Sequence, residues 1–590
     1  MPCNLPSVSL DSSHAWCMQR HPLSNPSQEV QSAWQACPFV KKKWMTAQEA
    51  VTYVDLFFRN MALMSPILDG YFADHAHHQE LVAKEPILCC TILTLSTRYH
   101  LLAGVASLSR GFILHERLWD HCQSLLQRVV WGEGPRMVES RGAIGTIESF
   151  LLLTEWHPRS FLSRHRWIKD SGMEWPEDDE PSEKSIPSDW YERVVEPARR
   201  GDRMSWMHLG SAVALAHELD LHSLYHDAHN IPHNEAHNPE TQARFARRCE
   251  RLQRLLFISI NQLTSRIGHA TSKQPFHPAI RDTIHGPAIS TEAGWHDFVT
   301  CWIDLTRLMR SSTELLFPTK IRKDVWFRND HYVELLKHFR PLLQQWWDKY
   351  HPISDAVPGL LHDLLLVEYH FVRIYINSVT LQAIAARTTG ETNSSLRHPF
   401  EIDDHDSSSV REIVDGCTAI LQIVLRLSDA NQLKYIPNRV SVRIASAAMY
   451  LVKALAIGVQ ADELNSSLNL LDRSLEALGS ASVDDMHLMA NYATLLASHM
   501  RALRNRFVCV SNTVTADISR APSSFEPLLP FSPDLTSPSN LTDSGNSDID
   551  RWMVLPFDPS IAEPFEQGIT QNIFGLNMRD SVGSFWDFLP

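Results

Sequence analysis

The chain has 590 residues, of which 44% are hydrophobic and 21% charged, and its formal net charge is −14. This length is enough for a large core. The negative charge argues against a protein that coats nucleic acid with its whole surface, because phosphate contacts need a local excess of Lys and Arg. Ten scattered cysteines and the lack of a recognisable signal peptide predict an intracellular, reduced protein. Even the most apolar stretch, 360–376, contains charged residues, so the sequence predicts a soluble chain without a membrane span.

The sequence lacks the common motifs of enzymes and cofactor sites. Only 22 residues are glycine, which is about half the usual share of roughly 7%, and phosphate-binding loops depend on glycine. Two aspartate pairs could hold magnesium in an all-helical enzyme, Asp178-Asp179 and Asp484-Asp485. Prolines flank the first pair, and the second has no third acid at the required spacing. We therefore predict that the protein is not an enzyme and has no catalytic residue, cofactor or metal site.

The first predicted helices follow an irregular lead at residues 1–43. Thr46 and Glu49 have the spacing of a capping box, in which each side chain satisfies a free backbone amide at the helix start. Apolar residues then recur at spacings of three and four, which predicts one buried helix face: Val51, Val54, Phe58 and Met61. Pro86 is placed to begin another helix. The stretch after Ser205 is apolar on nearly every side and predicts a central helix.

Helical periodicity continues along the rest of the body. Further helices are predicted at 252–267, 297–315, 330–350, 359–386, 409–428, 440–460, 464–478 and 484–507. Polar, proline-bearing stretches between them, at 171–188, 222–242 and 390–408, are interpreted as insertions. No comparable window alternates with period two. The predicted fold class is therefore all-α, with one large helical regulatory domain at residues 44–510.

Residues 511–590 have a different composition. They are rich in Ser, Thr, Pro and Asp, and contain eleven acids against three arginines, so they hold −8 of the net charge of −14. This composition predicts a disordered acidic tail. Two clusters of bulky apolar residues lie among the acids, and such residues can bind a coactivator groove as a short induced helix. The alternative for the first cluster is that "DRWMVLPFDPS" folds back onto the helical body and covers an apolar groove. The candidate coactivator-binding residues are Trp552, Leu555, Phe557, Phe585, Trp586, Phe588 and Leu589.

Two other clusters have alternative interpretations. One is a basic helix face that is solvated or paired with acids, or else contacts phosphate: Arg244, Arg247, Arg248, Arg251 and Arg254. The other is a group of histidines in a polar insertion, which could share a metal but lack a Cys or paired acid to complete the shell: His222, His226, His229, His233 and His237. Pro232 interrupts the helical spacing of the histidines, and we favour no metal there.

The residues as a whole resemble the helical regulatory domain of fungal-specific transcription factors, and most of all the subgroup around the yeast activator of aromatic amino-acid catabolism. The segments that carry the resemblance are "CPFVKKKWMTAQEAVTYVDLFFRNMALMSPIL", "EPILCCTILTLSTRYH", "RGFILHERLWDHCQSLLQRVVWG", "GTIESFLLLTEWHPRS", "VVEPARRGDRMSWMHLGSAVALAHELDL" and "RCERLQRLLFISINQLTSRIG". They cover residues 34–270 closely, and the likeness is looser to about residue 505. The resemblance implies a nuclear regulator of transcription.

Members of this family usually begin with a binuclear zinc cluster built on C-x2-C-x6-C, which inserts a helix into the major groove. Here the cysteines before the helical domain are Cys3, Cys17 and Cys37, spaced 14 and 20 apart, so this sequence does not contain that cluster. Three functions stay open. The first is a nuclear activator of fungal metabolic genes, for a biosynthetic or catabolic cluster, that recruits coactivators. The second is a regulatory subunit without DNA contact, which acts by dimerising with a zinc-cluster partner or by competing for coactivators; for either function the sequence leaves open a homodimer and direct or indirect contact with promoter DNA. The third is a helical small-molecule-binding protein outside transcription.

Overall fold

The computed structural model describes residues 20–103, 108–133, 142–159, 196–221, 239–267, 294–317, 331–390, 404–457, 461–497 and 500–501. These ranges contain sixteen α-helices: α1 (Gln28–Gln35), α2 (Pro38–Lys41), α3 (Ala47–Leu56), α4 (His78–Lys84), α5 (Pro86–Tyr99), α6 (Leu108–Val130), α7 (Gly142–Glu155), α8 (Glu196–Glu218), α9 (Pro239–Ile267), α10 (Trp295–Leu316), α11 (His331–Tyr350), α12 (Gly359–Asn377), α13 (Val379–Gly390), α14 (Asp404–Asp429), α15 (Asn438–Ile457) and α16 (Ala461–Ser480). Residues 488–497 are also helical. Two short strands, β1 (Arg20–His21) and β2 (Leu101–Leu102), pair in parallel with Arg20 opposite Leu101. The all-α prediction is confirmed.

The start of α3 follows the sequence closely. The Glu49 amide donates to the Thr46 hydroxyl at 3.1 Å, and the Thr46 amide donates to a Glu49 carboxylate oxygen at 2.8 Å. Both bonds of the predicted capping box are therefore present. The apolar residues at helical spacing are all buried, and the helix continues through a π-turn at Phe57–Met61. Local sequence alone is sufficient here, because the cap and the apolar face specify the same helix.

The lead before this helix differs from the sequence prediction. Residues 28–41, expected to be irregular, form α1 and α2. Ser27 caps α1, and Pro38 occupies the first turn of α2, where its missing amide costs nothing. The Trp34 side chain is fully buried, and its indole N–H donates to His78 Nδ1 at 3.0 Å. The short helices were missed because each is fixed to the core mainly by one buried aromatic side chain, Trp34 in α1 and Phe39 in α2, and not by a long repeated apolar pattern.

The helices form two groups that share one hydrophobic core. In the N-terminal group, α5 packs against α3, α6 and α7, and α8 packs against α7. In the C-terminal group, α12 and α14 pack against each other and against α15, and α16 packs on α14. Helix α9 contacts α7, α8 and α10, and α10 contacts α12. The long helix α9 therefore lies at the junction of the two groups.

The predicted insertions mostly fall between the described helices. Residues 171–188 lie outside the described residues, whereas the ends of 222–242 and 390–408 belong to α9 and α14. Residues 511–590 also lie outside them, so the division into lead, body and tail stays a prediction. Of the helices in the described ranges, none combines the length and the apolar character that a bilayer crossing requires.

Helix α8 is less central than its composition predicts. It begins at Glu196, ahead of Ser205, and its outer side is exposed. The exposed positions recur at spacings of four and three: Arg203, Met207, Gly210, Ala214 and His217. The prediction of a central helix is therefore wrong for this outer face. Glycine and alanine on the outer face raised the apparent apolar character of the helix without being buried.

Candidate functional site

The seven residues predicted to bind a coactivator all lie beyond residue 501, outside the described residues, and the prediction stays as the sequence made it. The same holds for the five insertion histidines at 222–237 and for the first aspartate pair, Asp178-Asp179. The helical body does contain a set of buried charged groups at the junction of its two helix groups. These groups include the arginine face and the second aspartate pair.

The arginine face of α9 is turned into the protein. Four of its five arginines are buried: Arg244, Arg248, Arg251 and Arg254. Arg248 donates to Glu85 at 2.7 Å and to both oxygens of Glu148 at 2.9 and 2.6 Å. Burial raises the pKa of Glu85 to about 6, even though the Arg248 charge opposes the shift. The pairing interpretation of this face is confirmed, and phosphate contact by these four arginines is excluded by their burial.

Three other arginines of this face contact an acid or an aromatic ring. The Arg251 guanidinium lies 3.3 Å from an Asp69 oxygen, and Arg254 lies 3.0 Å from Glu250 one turn earlier. Arg244 stacks on the ring of Tyr71, with its guanidinium carbon 3.3 Å from the ring centroid. Arg247 is half-buried. Helix α9 is thus held in place by charge pairs as well as by apolar contacts.

The aspartate pair Asp484-Asp485 binds two arginines. Asp484 accepts two hydrogen bonds from the fork of Arg98, at 2.7 and 2.9 Å, and Asp485 accepts from Arg159 at 2.8 to 2.9 Å. Burial by itself would raise the pKa of Asp484, but the Arg98 guanidinium outweighs it and the pKa falls to about 2. Both carboxylates therefore serve the junction between the helix groups as partners of arginines.

A cavity of about 40 Å³ lies where α7, α8, α9 and α15 meet. Its charged lining consists of Glu155, Arg266, Arg439 and Arg443. The rest of the lining is polar or apolar and comes from the same four helices: Thr154, Ser205, Leu209, Ser259, Gln262, Leu263 and Val442. Three guanidinium groups in one small cavity make it the strongest candidate binding site in the described part of the chain.

The cavity arginines are oriented by carboxylates and aromatic rings. Arg439 donates through Nε to Glu155 at 2.8 and 3.1 Å. Glu368 lies between two of the arginines. One of its oxygens is 3.6 Å from Arg439 Nη1, and the other is 3.5 Å from Arg443 Nε. Arg266 pairs with Asp202 of α8. Each guanidinium is thus held from one side by an acid, which fixes its direction.

Some donors of these arginines have no acceptor. Arg266 Nε and Arg439 Nη2 are both buried and have no hydrogen-bond partner among the described residues. A buried donor without an acceptor costs about 1–3 kcal/mol. Burial also lowers the pKa of Arg443 and raises the pKa of Glu155, so it disfavours the charged form of both side chains. The unpartnered donors therefore make the cavity a place where added hydrogen-bond acceptors would be stabilising.

His157 lies behind the cavity lining, where it contacts Ser205. Its Nε2 lies 3.0 Å from the Ser205 hydroxyl, and burial lowers its pKa to about 3. A Cβ at Gly201 would lie 2.6 Å from the His157 ring, so glycine lets α8 approach the end of α7. The contact positions Ser205 in the cavity wall.

Sequence reasoning missed the cavity, although one signal was present. Glu155, Glu368 and Arg443 are charged residues inside strongly apolar helices, and a buried charge requires a partner. Their presence predicts buried ion pairs. Which acid meets which arginine is not predictable from spacing, because Glu155 and Arg439 are 284 positions apart.

A second polar cluster contains Asp55, His75 and His78, whose ligand-type atoms lie within 4.8 Å of one another. His78 Nδ1 accepts the Trp34 indole N–H, so the proton of neutral His78 is on Nε2. A metal on His78 Nδ1 would displace the hydrogen bond from Trp34. A metal on Nε2 would move the imidazole proton to Nδ1, where it would face the Trp34 N–H donor. We interpret the cluster as a hydrogen-bonded group in which Asp55 lies 2.9 Å from His75.

Comparison with known proteins gives one relevant likeness. The chain is 39% identical over 578 residues to Transcription factor hmgR of Aspergillus fumigatus, and the match covers 92% of this chain and 76% of that protein. No family model matches the chain. No solved structure matches it either.

Proposed function

Because the chain belongs to the family of fungal transcription factors that includes hmgR, we propose that it is a nuclear activator whose helical body carries an activation segment at residues 511–590. The observation that carries this proposal is the likeness to hmgR along 92% of the chain. The regulated genes in this proposal are metabolic. The acidic tail supplies the activating contacts, and the helical body controls their use.

The tail has the composition that such contacts need. Eleven acids among 80 residues keep the aromatic side chains hydrated and accessible. A coactivator groove can then bury those side chains, and binding pays only the ordering entropy of a short segment. Hydrophobic burial dominates the affinity, whereas the acids mainly steer association. Trp586 and Phe588 are therefore expected to matter more than Asp587 between them.

A reporter assay tests the activation segment. Residues 511–590, fused to an unrelated DNA-binding domain, are expected to activate a reporter gene. Replacing Phe585, Trp586, Phe588 and Leu589 together by Ala should remove most of the activity of that cluster. The matched charge variant, Asp587→Asn, should lower activity only modestly, because a single charge contributes little beyond steering. An expressed, nuclear fusion without activity would overturn the proposal.

The cluster at residues 552–557 has its own test. If it binds coactivator, Ala at Trp552, Leu555 and Phe557 lowers the activity of the isolated tail. If it packs on the helical body instead, the same variant lowers the stability of the full chain and leaves the isolated tail nearly unchanged. Measuring both quantities on the same variant separates the two roles.

The second candidate is a regulatory subunit that reaches DNA through a partner. The burial of Arg244, Arg248, Arg251 and Arg254 favours it, because these side chains are not available to phosphate. We expect the purified chain of 590 residues to bind duplex DNA no tighter than the roughly 10⁻⁴–10⁻⁶ M of nonspecific contact, and to carry no stoichiometric zinc. Two zinc ions per chain by elemental analysis, or salt-resistant nanomolar binding to one duplex, would contradict this. Chromatin occupancy that disappears when a zinc-cluster partner is deleted would favour the subunit.

A further inference from the structure

We propose that the cavity between α7, α8, α9 and α15 binds the carboxylate group of a small organic acid. Three features of the cavity support this assignment: its charge, its unpartnered donors and its size. The binding claim does not depend on the activity of the tail, and it is measured on the purified chain.

The charge of the lining selects an anion. Three guanidiniums, those of Arg266, Arg439 and Arg443, line the cavity. The acids that orient them are Asp202, Glu155 and Glu368, and of these only Glu155 is in the lining itself. Positively charged side chains therefore outnumber negatively charged ones in the cavity lining. Arg439 Nε already donates to Glu155 and Arg266 Nη2 to Asp202, so an anion here accepts single charge-assisted hydrogen bonds from different guanidiniums.

The unpartnered donors point to hydrogen-bond acceptors. Arg266 Nε and Arg439 Nη2 come from two different helices, α9 and α15, and each lacks an acceptor among the described residues. Both nitrogens are fully buried, so the guanidiniums must shift toward the cavity for the two oxygens of one carboxylate to accept from both. The Ser205 hydroxyl and the Gln262 amide lie in the same lining and offer further polar contacts. A bound carboxylate would thus connect the N-terminal and C-terminal helix groups.

The size limits the ligand. A volume of about 40 Å³ accommodates roughly three water-sized groups, since one water needs roughly 10–15 Å³ on this measure. This suits a carboxylate with a short carbon chain. Thr154, Ser259 and Val442 are only half-buried, so the cavity meets the surface on their side and a longer ligand can extend outward there. A phosphate dianion suits the site less well, because three carboxylates already lie beside the arginines.

Acetate is the probe. Equilibrium dialysis of the full chain with radiolabelled acetate, at ionic strength held constant with chloride, is expected to give one site with Kd on the order of 1 mM. In a charge-balanced variant, Arg266→Gln with Asp202→Asn, the affinity should fall at least tenfold. Removing both members of the pair leaves no uncompensated buried charge, so the variant keeps its fold.

Two further variants keep the result interpretable. Ser259→Leu leaves every charge in place but fills the cavity from its half-buried side, and it should also remove acetate binding. The control Lys337→Gln with Glu334→Gln neutralises an exposed pair on α11 whose atoms lie 2.8 Å apart, and its affinity should equal that of the unchanged chain. Circular dichroism of each variant shows whether the helices are retained.

Three results would overturn the proposal. Acetate that binds no better than chloride would show that only water fills the cavity. Equal affinity in the unchanged chain and in Ser259→Leu would place the acetate elsewhere. Inorganic phosphate that binds more tightly than acetate would contradict the carboxylate assignment. None of these results depends on the reporter assay, so a failed activation segment and a failed ligand site can be told apart.

Discussion

Helices α8 and α9 pack against each other, and the more apolar of the two, α8, is the less buried one. Helix α8 contains the apolar stretch "WMHLGSAVALAHELDL", yet it exposes a continuous stripe that includes Met207, which is 55% exposed. Helix α9 contains six arginines, yet residues 248–258 are buried without interruption, including the charged residues among them. The apolar helix lies at the side of the body, and the charged helix lies at the junction of the two helix groups.

The difference teaches that burial of a helix depends on available partners as much as on hydrophobicity. Each buried arginine of α9 meets an acid or an aromatic ring: Arg248 meets Glu85 and Glu148 of other helices, and Arg254 meets Glu250 of its own helix. Charge pairing and hydrogen bonding offset the cost of desolvation. The outer face of α8 has no covering element among the described residues, and its small side chains tolerate water.

The largest loss of stability is expected from removing Arg248, because its ion pairs hold the charged helix α9 in the interior. Arg248→Ala leaves Glu85 and Glu148 buried without their shared cation, and removing one partner of a buried pair costs about 3–5 kcal/mol. Unfolding in urea at pH 8, followed by helical circular dichroism, measures the loss. The matched control is Arg247→Ala on the half-buried neighbour, with an expected change within about 0.5 kcal/mol. Equal losses in the two variants would show that α9 is not held by its charge pairs.

The next effect separates the two faces of α8. Val213→Asp places an unpaired carboxylate at a position that is 8% exposed and should destabilise the body by roughly 3 kcal/mol or more. The adjacent Ala214 is exposed, so Ala214→Asp should change stability by less than about 0.5 kcal/mol. Limited proteolysis and urea unfolding report both variants. A protease-resistant Val213→Asp protein would show that this face is not packed.

The pH dependence of the unfolding free energy tests the buried histidines, beginning with His157, which contacts Ser205 of α8. Burial lowers the pKa of His157 to about 3, against about 6.5 when the chain is unfolded. Between these values the unfolded chain binds the proton and the folded chain does not, so stability falls as the pH falls from 6.5 toward 3. This histidine contributes up to about 1.4 kcal/mol of lost stability per pH unit.

Two other histidines act in the same direction. His115 accepts the Arg159 amide at 3.1 Å and lies 2.9 Å from the Thr94 carbonyl, so its neutral form satisfies both ring nitrogens. Burial lowers the pKa of His115 to about 4 and that of His100 to about 3. The unfolding free energy measured at several pH values should therefore decrease steeply below 6.5. His157→Gln should flatten the dependence, whereas His338→Gln at an exposed position should not. An unchanged slope in the first variant would mean that His157 already carries a proton in the folded protein.

The smallest effects come from two glycines of α8, and they have opposite signs. A Cβ at Gly201 would lie 2.6 Å from the buried His157 ring, so Gly201→Ala should destabilise the body by about 1–3 kcal/mol. A Cβ at Gly210 meets nothing within 4 Å, so Gly210→Ala should stabilise it by about 0.5–1 kcal/mol through helix propensity. Thermal unfolding of both variants measures the difference. A destabilised Gly210→Ala protein would show that the outer face of α8 is covered.

The sequence by itself determined the all-α class and the start of several helices. The capping box at Thr46 and the proline at Pro86 act within one turn, and the apolar spacing of α3 acts within three, so each is readable without knowledge of the fold. The acidic, aromatic composition of residues 511–590 is likewise a property of the sequence alone. These features depend on neighbours in the chain.

The tertiary structure decided which charges are buried and where the cavity lies. Glu155 and Arg439, or Arg98 and Asp484, are hundreds of positions apart, and no local pattern relates them. The sequence left magnesium as a disfavoured alternative for Asp484-Asp485 and solvation as one alternative for the arginines of α9, because an unpaired charge is exposed by default. Only the packing of two helix groups supplied the opposite charges. The physical reason is that the free energy of a charge depends on what surrounds it in three dimensions, whereas helix periodicity depends on residues a few positions away.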